Sequence, residues 1–203
     1  MDSIINEIIL KDQELFIYLN NLGNPTWDGF WMFITNKFSA IPFYLILLFL
    51  ICKKFNLKIL LITLLCIALG IAFSDQLSNL FKNHLFLRLR PCYEESVYPY
   101  IRLVKDTCGG KYGYFSAHAG NNFMIATFLS LVFRNKIKYL SMFLFTWAIL
   151  VAYSRIYIGV HYPLDVLTGA IIGSIIGYLI FILWNYLNTR FKLKSPVSYG
   201  FNK

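Results

Sequence analysis

Charge is what this chain has least of, and negative charge least of all. Only 14% of its 203 residues are Asp, Glu, Lys or Arg, with ten acids against nineteen Lys and Arg. So few charges beside 58% hydrophobic residues and a mean hydropathy of +0.58 exclude an ordinary soluble domain. Histidine occurs three times and cysteine four times, with no spacing that builds a metal cage. A cleavable signal peptide is not expected, because the N-terminus lacks a basic stretch and Asp2, Glu7, Asp12 and Glu14 interrupt any apolar run. No internal repeat or low-complexity tract stands out, so a single membrane-embedded domain over 1–203 is expected.

Long apolar runs take the place of charge. A helix needs ~20 apolar residues to cross a bilayer, and five spans are expected at roughly 38–53, 57–80, 119–134, 137–154 and 164–187. The first is short unless it tilts or begins within Trp27–Thr35, so the fold class is all-α, a polytopic transmembrane bundle of five to six spans. Residues 4–22 mix isoleucines with acids and read as an amphipathic interfacial helix within an N-terminal segment 1–24. Tyr and Trp near the span ends read as interfacial anchors. Gly169, Gly173 and Gly177 repeat every fourth residue, a stripe suited to close helix packing.

The net charge of +9 raises the possibility of nucleic acid, but its distribution argues for a membrane instead. The linkers 53–58 and 134–138 and the tail 188–203 fall on one side of the membrane. They hold Lys53, Lys54, Lys58, Arg134, Lys136, Lys138, Arg190, Lys192, Lys194 and Lys203, and no acid. That bias marks the cytoplasmic face. The loops 82–118 and 155–163 then lie outside, in the periplasm if the membrane is an inner one.

Those two outer loops carry three clusters of polar residues. Ser154-Arg155 is followed by His161 and Asp165 between two apolar segments. Charges so close to hydrocarbon are costly and usually functional. Pro163 suits the first position of the last helix, leaving His161 just outside it and Asp165 in the first turn, able to reach back. A carboxylate on one imidazole nitrogen fixes the tautomer and makes the other more basic, which describes an oriented nucleophile or base. Arg155 offers a planar fork to phosphate oxygens. Upstream, Ser116-Ala117-His118 stands where a Gly-rich loop (Gly109, Gly110, Gly113) meets an apolar helix. The free backbone N–H groups of a helix start, including that of Ala117, make a phosphate seat, to which Ser116 adds a hydroxyl donor. His118, across the phosphorus from His161, is placed to protonate a departing oxygen. Lys82 and Arg90 add positive charge for the transferring group. His84, by contrast, reads as structural or wetted.

The residues at this point resemble the type 2 phosphatidic acid phosphatase superfamily, the integral-membrane lipid phosphatases. That family's pattern is Lys-x6-Arg-Pro, Pro-Ser-Gly-His and Ser-Arg-x5-His-x3-Asp. The third part matches from Ser154 and Arg155 through His161 to Asp165; the second is present as Phe115-Ser116-Ala117-His118; the first appears as Lys82…Arg90-Pro91 with seven intervening residues. The resemblance covers about residues 70–185. It implies His161 as a nucleophile forming a phosphohistidine, Asp165 as its partner, His118 as acid, and Lys82, Arg90, Ser116 and Arg155 as phosphate holders, with no metal or other cofactor. On a continuous helix Lys82 and Arg90 would be about 80° out of phase, so the helix is expected to end before Arg90, with Arg88 the other candidate for that cation's role.

The expected function is hydrolysis of a lipid phosphomonoester or terminal pyrophosphate at the outer face of the cytoplasmic membrane, by a bacterial lipid phosphatase. Undecaprenyl diphosphate and lipid A 1-phosphate suit it best, with phosphatidylglycerol phosphate and phosphatidic acid behind. Phosphoryl transfer to an acceptor other than water, or a non-catalytic phospholipid-binding scaffold, are the rival readings. The partners expected are the lipid phosphate and the membrane, with no nucleic acid and no obligate protein. Cys52 and Cys66 fall within spans and read as inert packing. Cys92 and Cys108 share the outer loop, where an oxidising compartment permits a disulfide.

Overall fold

The computed structural model describes residues 2–36, 38–105, 107–134 and 136–191. Lys192, Lys194 and Lys203 of the expected cytoplasmic tail lie outside the described residues. Seven α-helices follow one another among those described: α1 (Asp2–Asn21), α2 (Pro25–Thr35), α3 (Ile41–Lys54), α4 (Leu57–Leu80), α5 (Ala117–Val132), α6 (Leu140–Tyr157) and α7 (Pro163–Arg190). The expected spans therefore sit on α3 to α7. Three helical stretches are long and apolar enough to cross a membrane, Leu57–Leu85, Leu140–Tyr157 and Pro163–Arg190, whereas α3 and α5 have 14 and 16 residues. The chain is an all-α integral membrane protein.

Local chemistry sets the helix starts. Asn24 accepts from the Thr26 N–H at 3.0 Å ahead of Pro25 at the first position of α2. Asn56 accepts from the Ile59 N–H at 3.0 Å to open α4. Side-chain oxygens of this kind satisfy donors that a helix start leaves without a partner, each worth ~1 kcal/mol.

The core is built around α5, which packs on α7, α6 and α4. Its contact with α7 is a seam of small residues. A Cβ added at Gly169 would come within 2.5 Å of the Ser116 carbonyl oxygen, one at Gly177 within 2.5 Å of the Met124 carbonyl oxygen, and one at Gly173 would overlap the Gly120 backbone. Glycine at 173 is thus required by close backbone approach, the means by which helices associate where lipid removes the hydrophobic drive. Trp184, near the end of α7, is not an interfacial anchor. It is fully buried and donates its indole N–H to Thr63 Oγ1 of α4 at 2.9 Å. An interior partner for the N–H lets the ring give up the water interface.

Helix α1 is amphipathic in an unexpected sense. Its Ile4, Ile5, Ile8 and Leu10 are exposed, while Asp12, Phe16 and Asn20 are buried against the bundle. Asn20 donates to the carbonyl oxygens of Arg102, Ile156 and Tyr157 and accepts from the Arg102 N–H at 2.7 Å. Phe16 meets the Tyr162 ring edge-on at 5.2 Å. Its inward face is polar because it covers backbone at the mouth of the bundle.

Candidate active site

Three separate stretches of chain meet where α5 and α7 begin. At the α7 start, Pro163 occupies the first helical turn and Asp165 accepts from the Tyr162 N–H through Oδ2 at 3.0 Å. The same oxygen lies 3.3 Å from His161 Nδ1. The helix cap and the histidine's orientation are therefore served by one carboxylate. His161 is 2% exposed and Asp165 0%. The turn between α6 and α7 is closed by the Val160 and His161 N–H groups donating to the Arg155 carbonyl at 3.1 and 3.3 Å, which ties the arginine to the histidine six residues on.

At the α5 start, Ser116 is the N-cap and its hydroxyl oxygen accepts from the Ala119 N–H. Because the oxygen accepts there, the hydroxyl proton remains to donate. The Ser116 N–H donates to the Asp165 backbone carbonyl at 2.9 Å, so the second and third motifs are bonded directly. The outer loop joins them from the other side. Residues 88–90 run antiparallel to 111–113: the Arg90 N–H donates to the Lys111 carbonyl at 3.1 Å and the Gly113 N–H to the Arg88 carbonyl at 2.9 Å. Glycine at 113 allows this approach, since a Cβ there would lie 3.0 Å from Arg90 Cγ and 3.2 Å from Asp165 Oδ2.

Arg90 is held in turn by the loop, donating Nη1 to the Cys108 carbonyl at 2.9 Å and Nε to that of Tyr112 at 3.3 Å. Cys108 is disulfide-bonded to Cys92, with the two Cα atoms 6.3 Å apart. Arg155, 6% exposed, donates one guanidinium nitrogen to Thr35 Oγ1 of α2, and its Nε has no hydrogen-bond partner among the described residues. A buried, unsatisfied charged donor facing this cluster fits a phosphate oxygen.

Lys82 falls in a π-helical turn, Phe81–Leu85, that continues α4 and is closed by the Phe86 N–H donating to the Phe81 carbonyl at 2.8 Å. The helix ends before Arg90, as the phase argument requires. A π turn holds one more residue than an α turn, and this one lies within the stretch by which the first motif exceeds the Lys-x6-Arg spacing.

The positive charges of Arg90, Arg155 and Lys82 all act on His161, and those of Arg155 and Lys82 on His118. Burial, and after it the charges of Arg90, Arg155 and Lys82, hold the His161 imidazole well below the usual histidine range, against its hydrogen bond to the Gly113 backbone carbonyl, which works the other way. A histidine so placed stays neutral near pH 7 with its Nε2 lone pair available. Among the described residues no three His, Cys, Asp or Glu side chains gather into a group that could hold a metal ion.

Several participants were not legible beforehand. Arg88 does not point its charge at the phosphate region as a spare for Lys82; it pairs with Asp12 of α1 at 2.6 Å and with Asp165 Oδ1 at 3.2 Å, and stacks 4.0 Å over the Tyr162 ring. Thr35 and Asn121, and Asp75 to which Asn121 is bonded, also come to the site's edge. A lone acid such as Asp75 inside an apolar run is a signal the sequence does carry. Asp12, among several acids of the N-terminal segment, has no such mark.

Comparison with known proteins agrees with this geometry. The chain is 37% identical over 187 residues to the lipid A 4′-phosphatase of Bacteroides thetaiotaomicron, covering 92% of this chain and 82% of that protein. It is 29% identical over 171 residues to the undecaprenyl-diphosphatase of Sulfolobus acidocaldarius, covering 82% and 75%. The crystal structure of Aquifex aeolicus LpxE superposes with a TM-score of 0.61 at 30% identity, covering 83% of this chain and 93% of that one. A family model, that of the PAP2 superfamily, matches residues 60–189. The chain belongs to the PAP2 superfamily and is a phosphoric-ester hydrolase of the membrane.

Proposed function

We propose that this membrane lipid phosphatase removes a phosphate monoester from a lipid A-type glycolipid at the extracytoplasmic face, through a phosphohistidine on His161. The observation that carries the reading is a buried His161, oriented by Asp165 at 3.3 Å, facing the charges of Arg90, Arg155 and Lys82. With Nδ1 engaged by Asp165, Nε2 attacks phosphorus. The P–O bond to the lipid breaks, and His118, having taken up the proton carried in by the phosphate monoester monoanion, gives it to the departing oxygen. Water then surrenders a proton to His118 and attacks the same phosphorus, breaking the P–N bond and releasing phosphate. The three cations, the Ser116 hydroxyl and the free N–H groups at the α5 start, including that of Ala117, stabilise the charge on the equatorial oxygens.

The glycolipid is preferred over undecaprenyl diphosphate because the relative at 37% identity is a lipid A 4′-phosphatase, and the diphosphatase stands at 29%. The 4′-phosphate accordingly comes before the 1-phosphate among candidate esters. The outward orientation is supported by the Lys- and Arg-only linkers on the opposite side and by the Cys92–Cys108 bond, which suits an oxidising compartment. The test is phosphate release by purified protein from a panel of lipid phosphates. His161→Ala should abolish turnover while vanadate, a mimic of five-coordinate phosphorus, binds tightly to the unaltered protein. Near-normal turnover by His161→Ala sinks the mechanism.

A further inference from the structure

A cavity of about 600 Å³ opens beside His118 and runs between α3, α4 and α5. Most of its wall is aliphatic, contributed by residues such as Leu47, Leu64, Ile67 and Ile125. Among its polar lining groups, Asp75 and Asn121 stand below the acid, and the phosphate cage uses neither. Asp75, on α4, lies on the same helix face as Lys82 seven residues later and roughly 8 Å below the end of the helix at 1.5 Å per residue. Its Oδ1 accepts from Asn121 Nδ2 at 2.8 Å. Asn121 follows His118 by three residues on α5 and so shares its face. Its own Oδ1 is buried with no hydrogen-bond partner among the described residues. The neighbouring Asn122 is already committed, donating to the His118 carbonyl at 2.9 Å.

The chemistry of transfer says what enters this cavity. The oxygen that leaves phosphorus takes its proton from His118, so whatever that oxygen belongs to lies on the His118 side, over Asp75 and Asn121. What those two residues have left to offer, a carboxylate and an amide oxygen, are acceptors. Acceptors at the edge of hydrocarbon are costly to leave unmatched. A leaving group that carries hydroxyl or amide N–H donors matches them. A leaving group that is itself a phosphate sets an anion against a carboxylate where water is scarce, and like charges so placed are a strong means of rejection.

We propose that Asp75 and Asn121 form a leaving-group subsite that selects a phosphate carried on a donor-bearing sugar and rejects a phosphate carried on a second phosphate. The subsite rests on the phosphatase reading above and refines it: the cage grips the phosphoryl group of any ester, the Asp75–Asn121 pair reads what it is attached to, and the aliphatic wall receives an acyl chain. The same pair offers a rival role, Asp75 serving only as a counter-charge to Lys82, whose electrostatic field it shares. That role affects every substrate alike.

The experiment is a ratio. Purified protein in mixed micelles is given lipid A bearing a glucosamine phosphomonoester, or undecaprenyl diphosphate, and kcat/KM for phosphate release is measured on each. The ratio of the two is independent of how much of a variant is folded. In the wild type it favours the sugar ester. In Asp75→Leu and Asn121→Leu it falls about ten- to a hundredfold, the worth of hydrogen bonds to charged and buried groups. Asp75→Asn, which keeps the shape and removes the charge, moves it in the same direction. A wild type that prefers the diphosphate, or variants in which both rates fall together and the ratio holds, overturns the proposal. Release of phosphate from neither lipid by the wild type counts against the phosphatase reading itself, and is seen before any variant is made.

Discussion

Arg88 and Asp12 tie the N-terminal helix to the outer loop: the acid of α1 and the cation of the loop pair at 2.6 Å, with the Asp12 side chain 3% exposed and that of Arg88 17% exposed. The other arm of Arg88 reaches Asp165 at 3.2 Å, and Asp12 itself accepts from the Leu164 N–H at 2.9 Å. The carboxylate that orients His161 is therefore steadied from a helix more than a hundred and fifty residues away in sequence.

Removing that support should be expensive. Asp12→Ala leaves a helix-start N–H without its acceptor and a mostly buried guanidinium with one carboxylate in place of two, a loss of about 1–3 kcal/mol. Thermal unfolding in detergent should show the destabilisation. Asp12→Asn, whose amide oxygen still accepts from Leu164, should recover part of it. Equal stability of Asp12→Ala and wild type would mean that α1 docks without this pair.

Lys82→Ala should cost ~2–4 kcal/mol of transition-state stabilisation, read as a fall in kcat/KM of more than tenfold. Arg88 cannot substitute, since both arms of its guanidinium are engaged by carboxylates. A double variant with Arg88 altered as well should lose orientation of Asp165 in addition. A loss below tenfold for Lys82→Ala would remove it from the cage.

The depressed proton affinity of His161 makes stability depend on pH in a known direction. Burial and three cations keep it neutral when folded, whereas the unfolded histidine takes a proton near pH 6.5. Below that value the unfolded state binds the extra proton, so stability falls as pH falls, by at most about 1.4 kcal/mol per pH unit for one group. Melting measured from pH 7.5 to 5 should show a decline that His161→Asn lessens. An unchanged slope would mean that His161 is protonated in the folded protein.

The Cys92–Cys108 bond closes a loop of sequence separation 16, worth roughly 3 kcal/mol by the loop-entropy relation. Reduction should lower the melting temperature. It should also lower activity, because Arg90 leans on the Cys108 carbonyl. Alkylation of both cysteines in unreduced protein, detected by mass spectrometry, would refute the bond.

The readable parts of this molecule are those whose geometry is local. His161 and Asp165 stand four residues apart across a helix start, and Pro163 fixes that start, so sequence alone sets their relation. The spans follow from hydropathy, and the glycine stripe of α7 announces a close neighbour without naming α5. What stayed hidden depends on contacts between distant segments. Asp12, Thr35 and Arg88 owe their positions to α1 and α2 folding back over the outer loop, and no periodicity encodes that. The burial of Trp184 depends on Thr63, more than a hundred residues away in sequence, so its place near a span end does not reveal it. The extra residue between Lys82 and Arg90 was visible, but a count cannot tell a widened turn from a longer loop.

Helices α5 and α7 both begin at the phosphate cage, and their backbones touch at Gly120 and Gly173. Gly173 lies ten residues into α7, about 15 Å from its start. The spacing between the two histidines is thus gauged in the middle of the membrane, by the thickness of two polypeptide backbones. A single added methyl group at 173 would wedge the helices apart at Gly120, and the misalignment would shift His118 relative to His161. The catalytic half of the bundle is consequently a rigid frame. Helix α4 is tied into the same frame, since a Cβ at Gly120 would also lie 3.0 Å from Ser74 Oγ, while α3 borders the cavity outside this seam.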